Sequence, residues 1–369
     1  MTCSTDRLPG LAVRSATLRA VSVPLNFALG TSAAVVRAVP LLLVEILTEV
    51  GITGRSYVFC YTPGGAKSVA AHLAEAVELA RGLPAAPQTL APMLARRFAL
   101  LGVTGPVRMA LSALDMALWD AAAISAGRPL AALLGAERRP IPAYDSRGLG
   151  LMAPAALADE AERLIESGLG ALKLRLGHPA LEDDLAALAA VRARVPASTR
   201  IMADYNQALT VAEALRRGHA LQREGIDWLE EPIRHDDYAG NAKIARDLDV
   251  PLQIGENFNG PEAMADALAL DAADYVMPDL ARIGGVTGWI QAAGLAAARG
   301  IEMSSHLAPE LSIHLLTASP TAHWIEYVDW ADAILEEPLR PAGGTITAPD
   351  RPGFGITFGA DKLRRLESL

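Results

Sequence analysis

The chain has 369 residues, of which 51% are hydrophobic and 20% are charged. This composition is typical of a globular protein, and the length exceeds that of one simple core, so we expect two domains. The formal net charge of −9 argues against nucleic acid as a partner, because a surface that binds phosphates is basic.

The apolar segments and the cysteines indicate the cellular compartment of the protein. The first 20 residues contain no apolar run of signal-peptide length, and the stretch "VPLLLVEIL" at 39–47 is far shorter than a membrane span. Cys3 and Cys60 are the only cysteines, which excludes a disulfide framework and a cysteine-rich metal site. We therefore expect a soluble cytoplasmic protein that does not bind membranes.

The first third of the chain predicts strands and then helices. Strand patterns cover 11–24, 38–48 and 52–60, and "EVGITG" at 49–54 is the tight turn between the last two. Helical spacing follows at 65–82, 88–100 and 106–127. The last of these helices is apolar nearly all round, so it should be buried. These elements predict an α+β domain over residues 1–138.

From about residue 139 the pattern changes to short apolar runs that alternate with helical segments. The runs cover 141–146, 171–176, 200–206, 226–232, 251–257, 274–279, 301–306 and 323–327. An open doubly wound sheet would show a similar alternation, but eight strand-like runs favour a closed parallel barrel. We expect this α/β barrel domain over 139–330, with the tail at about 331–369 returning to complete the first domain.

Ionisable residues follow the predicted strands. In a parallel barrel the active site lies at the carboxyl ends of the strands. Those ends carry Lys173 and Arg175, Asp204 with Asn206, Glu230, Glu256, Asp279, His306 and Glu326. A single carboxylate at a strand end is usually a turn residue or a helix cap, so the signal lies in the joint placement.

Three of these carboxylates, Asp204, Glu230 and Glu256, would end successive strands. Carboxylates that converge without a cation repel one another and raise their own pKa values. A divalent ion removes that conflict, and an all-oxygen donor set selects Mg²⁺ over zinc. Glu231 would point to the opposite side from Glu230 and is not counted. The sequence therefore predicts a Mg²⁺ site.

Two further groups bear on the chemistry of such a site. His306 and Asp279 would end neighbouring strands, and a carboxylate beside an imidazole fixes its tautomer and raises its basicity, as a general base requires. In "ALKLRLG" at 171–177, Lys173 and Arg175 lie two residues apart, so they share one face of a strand. We expect both cations to face negative groups.

These segments resemble the enolase superfamily, and within it the mandelate racemase/muconate lactonizing enzyme family, closest to its mandelate racemase group. The segments are "KLRLG", "MADYNQ", "WLEEP", "IGENFNGPE", "MPDLARIGGVTGW", "SSHLAPELSIHLL", "SYVFCYTPGGAKS" and "TGPVRMALSALDMALWDA". The resemblance covers nearly the whole chain. It implies an N-terminal α+β capping domain over a (β/α)₇β TIM-like barrel, with Mg²⁺ as cofactor, a small-molecule carboxylate as substrate and a homo-oligomeric assembly.

The resemblance also implies roles for single residues and a reaction. Asp204, Glu230 and Glu256 match the Mg²⁺ ligands, and His306 and Asp279 match the dyad that exchanges the proton. Glu326 matches a protonated acid that contacts the substrate carboxylate, and Lys173 matches the lysine that binds this carboxylate. Asn206 and Ser146 match further polar contacts. The implied chemistry is removal of the proton α to a carboxylate, with the developing negative charge stabilised by the ion, Lys173 and Glu326.

One position departs from the group, which has a second lysine where this chain has Arg175. That lysine is the base on the substrate face opposite His306. With a pKa of about 13.8, a neutral arginine at pH 7 costs about 9 kcal/mol, at about 1.36 kcal/mol per pKa unit. Either Arg175 exchanges protons slowly and the protein is a racemase or epimerase, or His306 is the only base and a β-hydroxyl leaves, as in acid-sugar dehydratases of the family.

The segment at 23–40, "VPLNFALGTSAAVVRAVP", is predicted to cover the site as a loop. It contains Phe27 and Leu29, and Tyr57 is near in the chain. Such side chains suit an aryl or alkyl group, which favours a racemase of an aryl or apolar 2-hydroxy acid. Arg37 and Arg147 point the other way, because either could bind a second carboxylate.

A third hypothesis comes from another functional class. A barrel that binds Mg²⁺ and an acid without turnover would act as a ligand sensor. The complete pair of His306 and Asp279, together with Glu326, disfavours this hypothesis because a sensor has no use for a general base.

Overall fold

The computed structural model describes residues 10–32 and 34–369. Residues 1–9 of the predicted first domain, with Cys3, and residue 33 of the predicted covering segment lie outside the described residues.

The first sheet is built on three antiparallel strands, β1 (Val13–Gly30), β2 (Val35–Thr48) and β3 (Thr53–Phe59). The strands β1 and β2 run further than the sequence predicts, with Leu29 opposite Val36 and a register shift after Pro24. A proline has no N–H for the ladder, so pairing is interrupted there and resumes beyond it. The segment 23–40 is thus largely a β-hairpin, and the prediction of a loop was wrong.

Helices α1 (Pro63–Ala80), α2 (Pro87–Arg97), α3 (Gly105–Ser125) and the short α4 (Leu130–Leu133) follow. The first three match the predicted helices, and α3 is buried on nearly all sides as its composition predicts. A Cβ at position 54 would lie 2.0 Å from the carbonyl oxygen of Ala117. Glycine at 54 therefore lets β3 pack directly on α3.

The second sheet of the described residues is built on eight parallel strands, to which one short antiparallel strand of the tail is added. They are β4 (Ile141–Asp145), β5 (Ala171–Arg175), β6 (Arg200–Asp204), β7 (Leu229–Glu230), β8 (Leu252–Ile254), β9 (Tyr275–Val276), β10 (Glu302–Met303) and β11 (Ile325–Tyr327). Successive strands pair from β4 to β10, and β11 pairs with β4. Backbone bonds from Ser305 N to the Trp324 oxygen (3.0 Å) and from His323 N to the Met303 oxygen (2.9 Å) join β10 to the segment before β11. The predicted barrel is confirmed.

Helices connect these strands on the outside of the sheet. They are α5 (Pro154–Ile165), α6 (Leu181–Arg192), α7 (Val211–Arg223), α8 (Tyr238–Asp247), α9 (Pro261–Ala269), α10 (Leu280–Ile283), α11 (Gly285–Arg299) and α12 (Pro309–Ala318). Each crossover carries one helix except that between β9 and β10, which carries α10 and α11. This is the (β/α)₇β order that the resemblance implies.

The tail returns to both sheets. A 3₁₀ helix (Trp330–Ala333) leads to β12 (Thr345–Ile346), which pairs antiparallel with β4, then to α13 (Ala360–Leu363) and β13 (Glu367–Ser368). Ser368 pairs with Val21 of β1. The end of the tail thus pairs with the first sheet, and the domain boundaries given from the sequence stay a prediction.

The tip of the β1–β2 hairpin lies on the carboxyl ends of the barrel strands. Ser32 Oγ donates to the Asn206 carbonyl oxygen at 3.1 Å, and Leu151 N donates to the Gly30 oxygen at 2.9 Å. The capping domain therefore covers the end of the barrel where the ionisable residues are predicted. In the described part of the chain, no helix is long and apolar enough to cross a membrane.

Candidate active site

Strand register brings the predicted site residues to one end of the barrel. Arg175 lies beside Asp204 across β5 and β6, and Asp204 lies beside Glu230 across β6 and β7. Asp279 and His306 form a parallel bridge just beyond β9 and β10. Parallel strands all end at the same edge of the barrel, and along each strand successive side chains alternate between the inside and the outside. These two facts together bring the predicted residues to one end.

Lys173 is the centre of a buried charge cluster. Its Nζ lies 2.6 Å from Glu230 Oε1, 2.7 Å from Glu326 Oε1 and 3.4 Å from Asp204 Oδ2. All four side chains are buried. Burial lowers the pKa of Lys173, but the three carboxylates outweigh it and hold that pKa above its usual range. This lysine is therefore a charged group that the strand directs toward acids.

The carboxylates of this cluster differ in their protonation. Burial raises the pKa of Glu230; Lys173 lowers it, repulsion from Asp204 adds to the rise, and the net result lies above the usual range. Burial also raises the pKa of Glu326, but attraction by Lys173 and then His306 prevails, so that pKa lies below its usual range. Glu326 is thus an ionised carboxylate here, whereas the resemblance implied a protonated acid.

The three predicted Mg²⁺ ligands do not meet at one point. Among the described residues, no group of three or more His, Cys, Asp or Glu side chains is arranged to hold a metal ion. Lys173 lies between Asp204 and Glu230, and Glu256 faces His306, with 3.2 Å between Glu256 Oε2 and the ring Nε2. In this arrangement each of the three carboxylates pairs with a cationic or imidazole side chain, and the assignment of Asp204, Glu230 and Glu256 as Mg²⁺ ligands stays a prediction.

The donor set nevertheless fits a hard divalent cation. One ammonium faces three buried carboxylates, Asp204, Glu230 and Glu326, so negative charge is in excess at the barrel end. Asp204 and Glu230 end successive strands and Glu256 follows the next one, and carboxylate oxygens are the donor type that Mg²⁺ prefers. An added cation would reduce the repulsion that raises the pKa of Glu230.

His306 and Asp279 form the predicted dyad. The ring Nδ1 lies 2.8 Å from Asp279 Oδ2, and Asp279 Oδ1 accepts the backbone N–H groups of Ala281 and Arg282 at the start of α10. Burial lowers the pKa of His306, but Glu256, Glu326 and the bond to Asp279 raise it to about 9. The dyad thus leaves ring Nε2 facing the carboxylates of the site.

The turn after His306 also serves the site. Leu307 and Ala308 both have positive φ, at 51° and 43°. Leu307 N donates to Glu326 Oε2 at 2.8 Å. A non-glycine residue at positive φ is sparsely populated. This backbone conformation therefore supplies a fixed donor to the carboxylate of Glu326.

Arg175 is tied to the loop that follows β4. It is buried, with Nη1 donating to the Gly148 oxygen at 2.8 Å. Its Nη2 donates to Ser146 Oγ at 2.9 Å and to the Ser146 oxygen at 3.4 Å. Arg175 and Ser146, predicted as a base and a substrate contact, thus bind each other. The guanidinium acts as a structural clamp on residues 146–148.

Asn206 supports Asp204. Its backbone N–H donates to Asp204 Oδ1 at 2.8 Å and its side-chain amide donates to Asp204 Oδ2 at 3.0 Å. Asn206 has a φ of 43°, which folds the side chain back over the aspartate. The amide predicted to contact substrate is used, in this arrangement, to hold a predicted metal ligand.

The three predicted covering residues do not form one apolar wall. Arg147 and Arg163 lie over the ring of Phe27, 5.7 and 5.2 Å from its centroid. Leu29 is buried in the hairpin. Tyr57 donates its hydroxyl to Glu310 and lines a small cavity with Asp279 and Leu307. Only Tyr57 is thereby brought close to the dyad.

Sequence reasoning missed several groups that orient the predicted residues. Trp228 Nε1 donates to Glu230 Oε2 at 3.1 Å, and Asn257 Nδ2 donates to Glu256 Oε1 at 3.1 Å. The signal for Trp228 is its position two residues before Glu230, which places both on one face of the strand.

Arg147 is held by Asp145, with 2.6 Å from Nη2 to Oδ2, and Asp329 lies 3.6 Å from its Nη1.

Comparisons with known proteins agree with this architecture. Residues 13–135 match the mandelate racemase/muconate lactonizing enzyme N-terminal domain, and residues 156–362 match the enolase C-terminal domain-like family. A structure of an enolase from the alpha proteobacterium bal199 with bound magnesium is 40% identical, covers 97% of this chain and all of its own, and has a TM-score of 0.94.

Two further relatives bind or act on small carboxylates. An enolase from Bradyrhizobium, complexed with magnesium and mandelic acid, is 38% identical over 98% of this chain and 99% of its own, with a TM-score of 0.93. The L-talarate/galactarate dehydratase of Salmonella typhimurium is 31% identical over 90% of this chain and 83% of its own. Close structural neighbours thus bind Mg²⁺, and this chain belongs to the mandelate racemase/muconate lactonizing enzyme family of the enolase superfamily.

Proposed function

We propose that the protein is a Mg²⁺-dependent dehydratase of an acid sugar, in which His306 is the only base. The observation that carries the proposal is the anchoring of Arg175 by three hydrogen bonds to Ser146 and Gly148. A two-base racemase needs a proton-exchanging group on each face of the α-carbon. A guanidinium clamped in this way only donates hydrogen bonds and offers no lone pair for a proton, so it does not supply the second base.

The residues of the dyad suit elimination by one group. With Nδ1–H donated to Asp279, ring Nε2 of His306 has a lone pair for the α-proton once the ring is neutral, and a cation bound at Glu256 would weaken the attraction that raises the His306 pKa to about 9. The C–H electron pair then forms the enolate, the β-hydroxyl leaves with the proton carried by His306, and water and an enol result. The enol becomes a 2-keto-3-deoxy acid.

The other charged groups bind and stabilise. Lys173 is the buried cation that would meet the substrate carboxylate, and it stays charged because Glu230, Glu326 and Asp204 raise its pKa. We propose that Asp204, Glu230 and Glu256 hold Mg²⁺, so that the contacts of Lys173 with Asp204 and Glu230 give way. When bound, the ion offsets the negative charge that develops on the substrate as its α-proton leaves.

The substrate class follows from the groups around the hairpin. Phe27 is covered by Arg147 and Arg163 and does not offer an open aromatic surface. Arg147 is neutralised by Asp145 and Asp329, so it is not available for a second substrate carboxylate. We therefore propose a monocarboxylic polyol, an aldonate, rather than a diacid or an aryl acid.

A racemase or epimerase of an aryl 2-hydroxy acid is the second candidate. It is favoured by the mandelic acid in the Bradyrhizobium neighbour, at 38% identity. In that case Arg175 would have to leave its bonds to residues 146–148 in order to reach the substrate.

A substrate screen separates the two candidates. Purified protein with Mg²⁺ is incubated with aldonates and with (R)- and (S)-mandelate, and the products are followed by keto-acid detection and by polarimetry. We expect a keto acid from one or a few aldonates, absent without Mg²⁺ and absent in His306→Asn. Loss of optical rotation from mandelate without keto acid would overturn the dehydratase proposal in favour of racemisation.

A further inference from the structure

The two oxygens of Glu230 have different surroundings. Oε1 faces Lys173 at 2.6 Å, the side on which the proposed cation would enter. Oε2 accepts from Trp228 Nε1 at 3.1 Å and lies 3.5 Å from Gln253 Nε2. All of these side chains are fully or almost fully buried, so water does not compete for Oε2.

The indole of Trp228 is held rigidly. Tyr144 packs edge-on against it with 5.5 Å between ring centroids, and Tyr275 lies at 6.5 Å in a similar orientation. An indole N–H can donate but not accept. The ring therefore points one permanent donor at the carboxylate, and rotation away from it would disturb the aromatic packing.

Gln253 is oriented by a chain of donors. Its Oε1 accepts from Ser304 Oγ at 3.2 Å, and Ser304 Oγ in turn accepts from Trp324 N at 3.3 Å. His323 Nδ1 also lies 3.3 Å from Ser304 Oγ. With its oxygen engaged by Ser304, the amide of Gln253 turns its NH₂ group toward Glu230. The amide that this chain orients lies between Glu230 Oε2 and Met277 Sδ, which is 3.3 Å from Gln253 Nε2, so it supports the indole as a weaker second donor.

We infer that Trp228, aided by Gln253, is a positioning residue that withholds Oε2 of Glu230 and leaves Oε1 alone for a cation. The inference rests on the proposed Mg²⁺ site. Glu256 shows the same arrangement, since Asn257 binds Oε1 and leaves Oε2 toward the site. Two carboxylates that each offer one oxygen suit the small octahedral Mg²⁺, whereas Ca²⁺ accepts two oxygens from one carboxylate.

The test is titration calorimetry of metal-stripped protein with Mg²⁺ and, separately, with Ca²⁺. Trp228→Phe removes the N–H and keeps an aromatic ring. We expect it to weaken Mg²⁺ binding by about 10- to 100-fold, the usual effect of losing an outer partner of a metal ligand. The ratio of Mg²⁺ to Ca²⁺ affinity should fall as well, because a freed Oε2 can join Oε1 on the larger ion.

Trp289→Phe is the matched control. Trp289 is equally buried and donates its Nε1 to Ser319 Oγ at 3.1 Å, outside the site. It should leave both affinities unchanged within about twofold, although it loses a similar bond and similar packing. If both variants weaken Mg²⁺ binding alike, the effect of Trp228 is structural and the inference is wrong.

Two more variants keep the result decisive. Gln253→Met keeps the side-chain volume and removes the amide, and we expect a smaller loss of Mg²⁺ affinity because its 3.5 Å contact is weaker. It replaces Trp228→Phe if that variant does not fold, and unchanged Mg²⁺ binding in it would then overturn the inference. Glu230→Gln tests the metal site itself. If Glu230→Gln binds Mg²⁺ like the parent, the proposed ligand set is wrong; if it fails to bind while Trp228→Phe binds normally, only the positioning role is wrong.

Discussion

Arg175 is the residue on which the proposal of a single base rests. Its three hydrogen bonds to Ser146 and Gly148 make it part of the loop after β4. A planar guanidinium donates in a fixed fork, which a lysine ammonium cannot reproduce. The substitution that would restore a base at this position therefore also removes a clamp.

We expect Arg175→Lys to lower the free energy of unfolding by about 1–3 kcal/mol, because it leaves buried carbonyl oxygens without donors. Urea unfolding followed by circular dichroism measures the change. Arg216→Lys is the control, since Arg216 is exposed and its pairing with Glu213 lies on the surface. Equal stability of Arg175→Lys and the parent would show that the arginine is free of the loop.

At the residue scale, the sequence predicts which side chains reach the site but not how they pair there. Strand alternation placed Lys173, Glu230 and His306 correctly at the carboxyl ends of strands. It does not fix side-chain torsions, so it did not predict that Lys173 would bind Asp204 and Glu230 or that Glu326 would be ionised. Those outcomes depend on several charges at once.

At the scale of single elements, Asp184 of α6 organises the loop that follows Arg175. Its Oδ1 accepts the backbone N–H groups of Gly177 and His178 at 3.0 and 2.9 Å. Its Oδ2 accepts from the Tyr205 hydroxyl at 2.9 Å and from Arg217 Nη1 at 2.5 Å. One buried carboxylate thus ties the end of β5 to α6 and α7.

We expect Asp184→Ala to lower the free energy of unfolding by about 3 kcal/mol, because Arg217 and Tyr205 lose their buried acceptor. Thermal and urea unfolding measure the loss. Asp183→Ala is the matched control, since Asp183 is exposed on the same first helical turn and should change stability by about 0.5 kcal/mol or less. Similar losses in both variants would contradict the role given to Asp184.

The elements of the barrel were predictable because short apolar runs, which form the strands, alternate along the chain with segments of helical spacing. The hairpin of β1 and β2 was not, since Pro24 and the small residues at 28–34 resemble a loop in sequence. Backbone pairing of β1 with β2, in which Leu29 lies opposite Val36, extends both strands in spite of that composition. Tertiary contacts of the tip with Asn206 and Leu151 then hold it on the barrel.

At the scale of the whole molecule, His314 joins the barrel, the capping domain and the tail. Its Nδ1 accepts from Ala131 N of α4 at 3.3 Å, and its Nε2 lies 3.1 Å from the Phe354 oxygen. This pattern needs the neutral ring with the proton on Nε2. Burial lowers the pKa of His314 to about 4.

This depressed pKa gives a pH dependence of stability. In the unfolded chain the histidine has a pKa of about 6.5 and becomes protonated below it, whereas the folded state keeps His314 neutral down to about pH 4. Stability is therefore lost as the pH falls from about 6.5 to about 4. The contribution of one such group reaches about 3 kcal/mol, at about 1.36 kcal/mol per pKa unit. Other buried groups add slopes of their own, and Asp115 and Asp120, with pKa values raised to about 7, act in the opposite direction.

A comparison of variants isolates the histidine. We expect the slope of the unfolding free energy against pH between 4 and 6.5 to be lower in His314→Gln than in the parent by the equivalent of about one proton. His219→Gln, at an exposed position, should keep the slope of the parent. Parallel slopes for the parent and His314→Gln, from urea titrations at several pH values, would refute this assignment.

Spacing and composition predicted the fold class and the alternation of strands and helices along the chain, and Ser368 of the tail pairs with Val21 of β1. The resemblance implied a capping domain over the barrel, but the individual contacts between them were not predicted, because pairs such as Tyr57 with Glu310 or Thr287 with Asp115 link residues far apart in sequence. Periodicity describes an element, and it carries no information about which faces of two domains meet.

The central claim is that a single imidazole, His306, moves the proton at the α-carbon. Its most direct test is α-hydrogen exchange in D₂O with Mg²⁺, followed by proton NMR on each enantiomer of a turned-over or slowly exchanging 2-hydroxy acid. We predict deuterium incorporation from one enantiomer only, and none in His306→Asn. Equal exchange from both enantiomers, or exchange that persists in His306→Asn, would contradict the account.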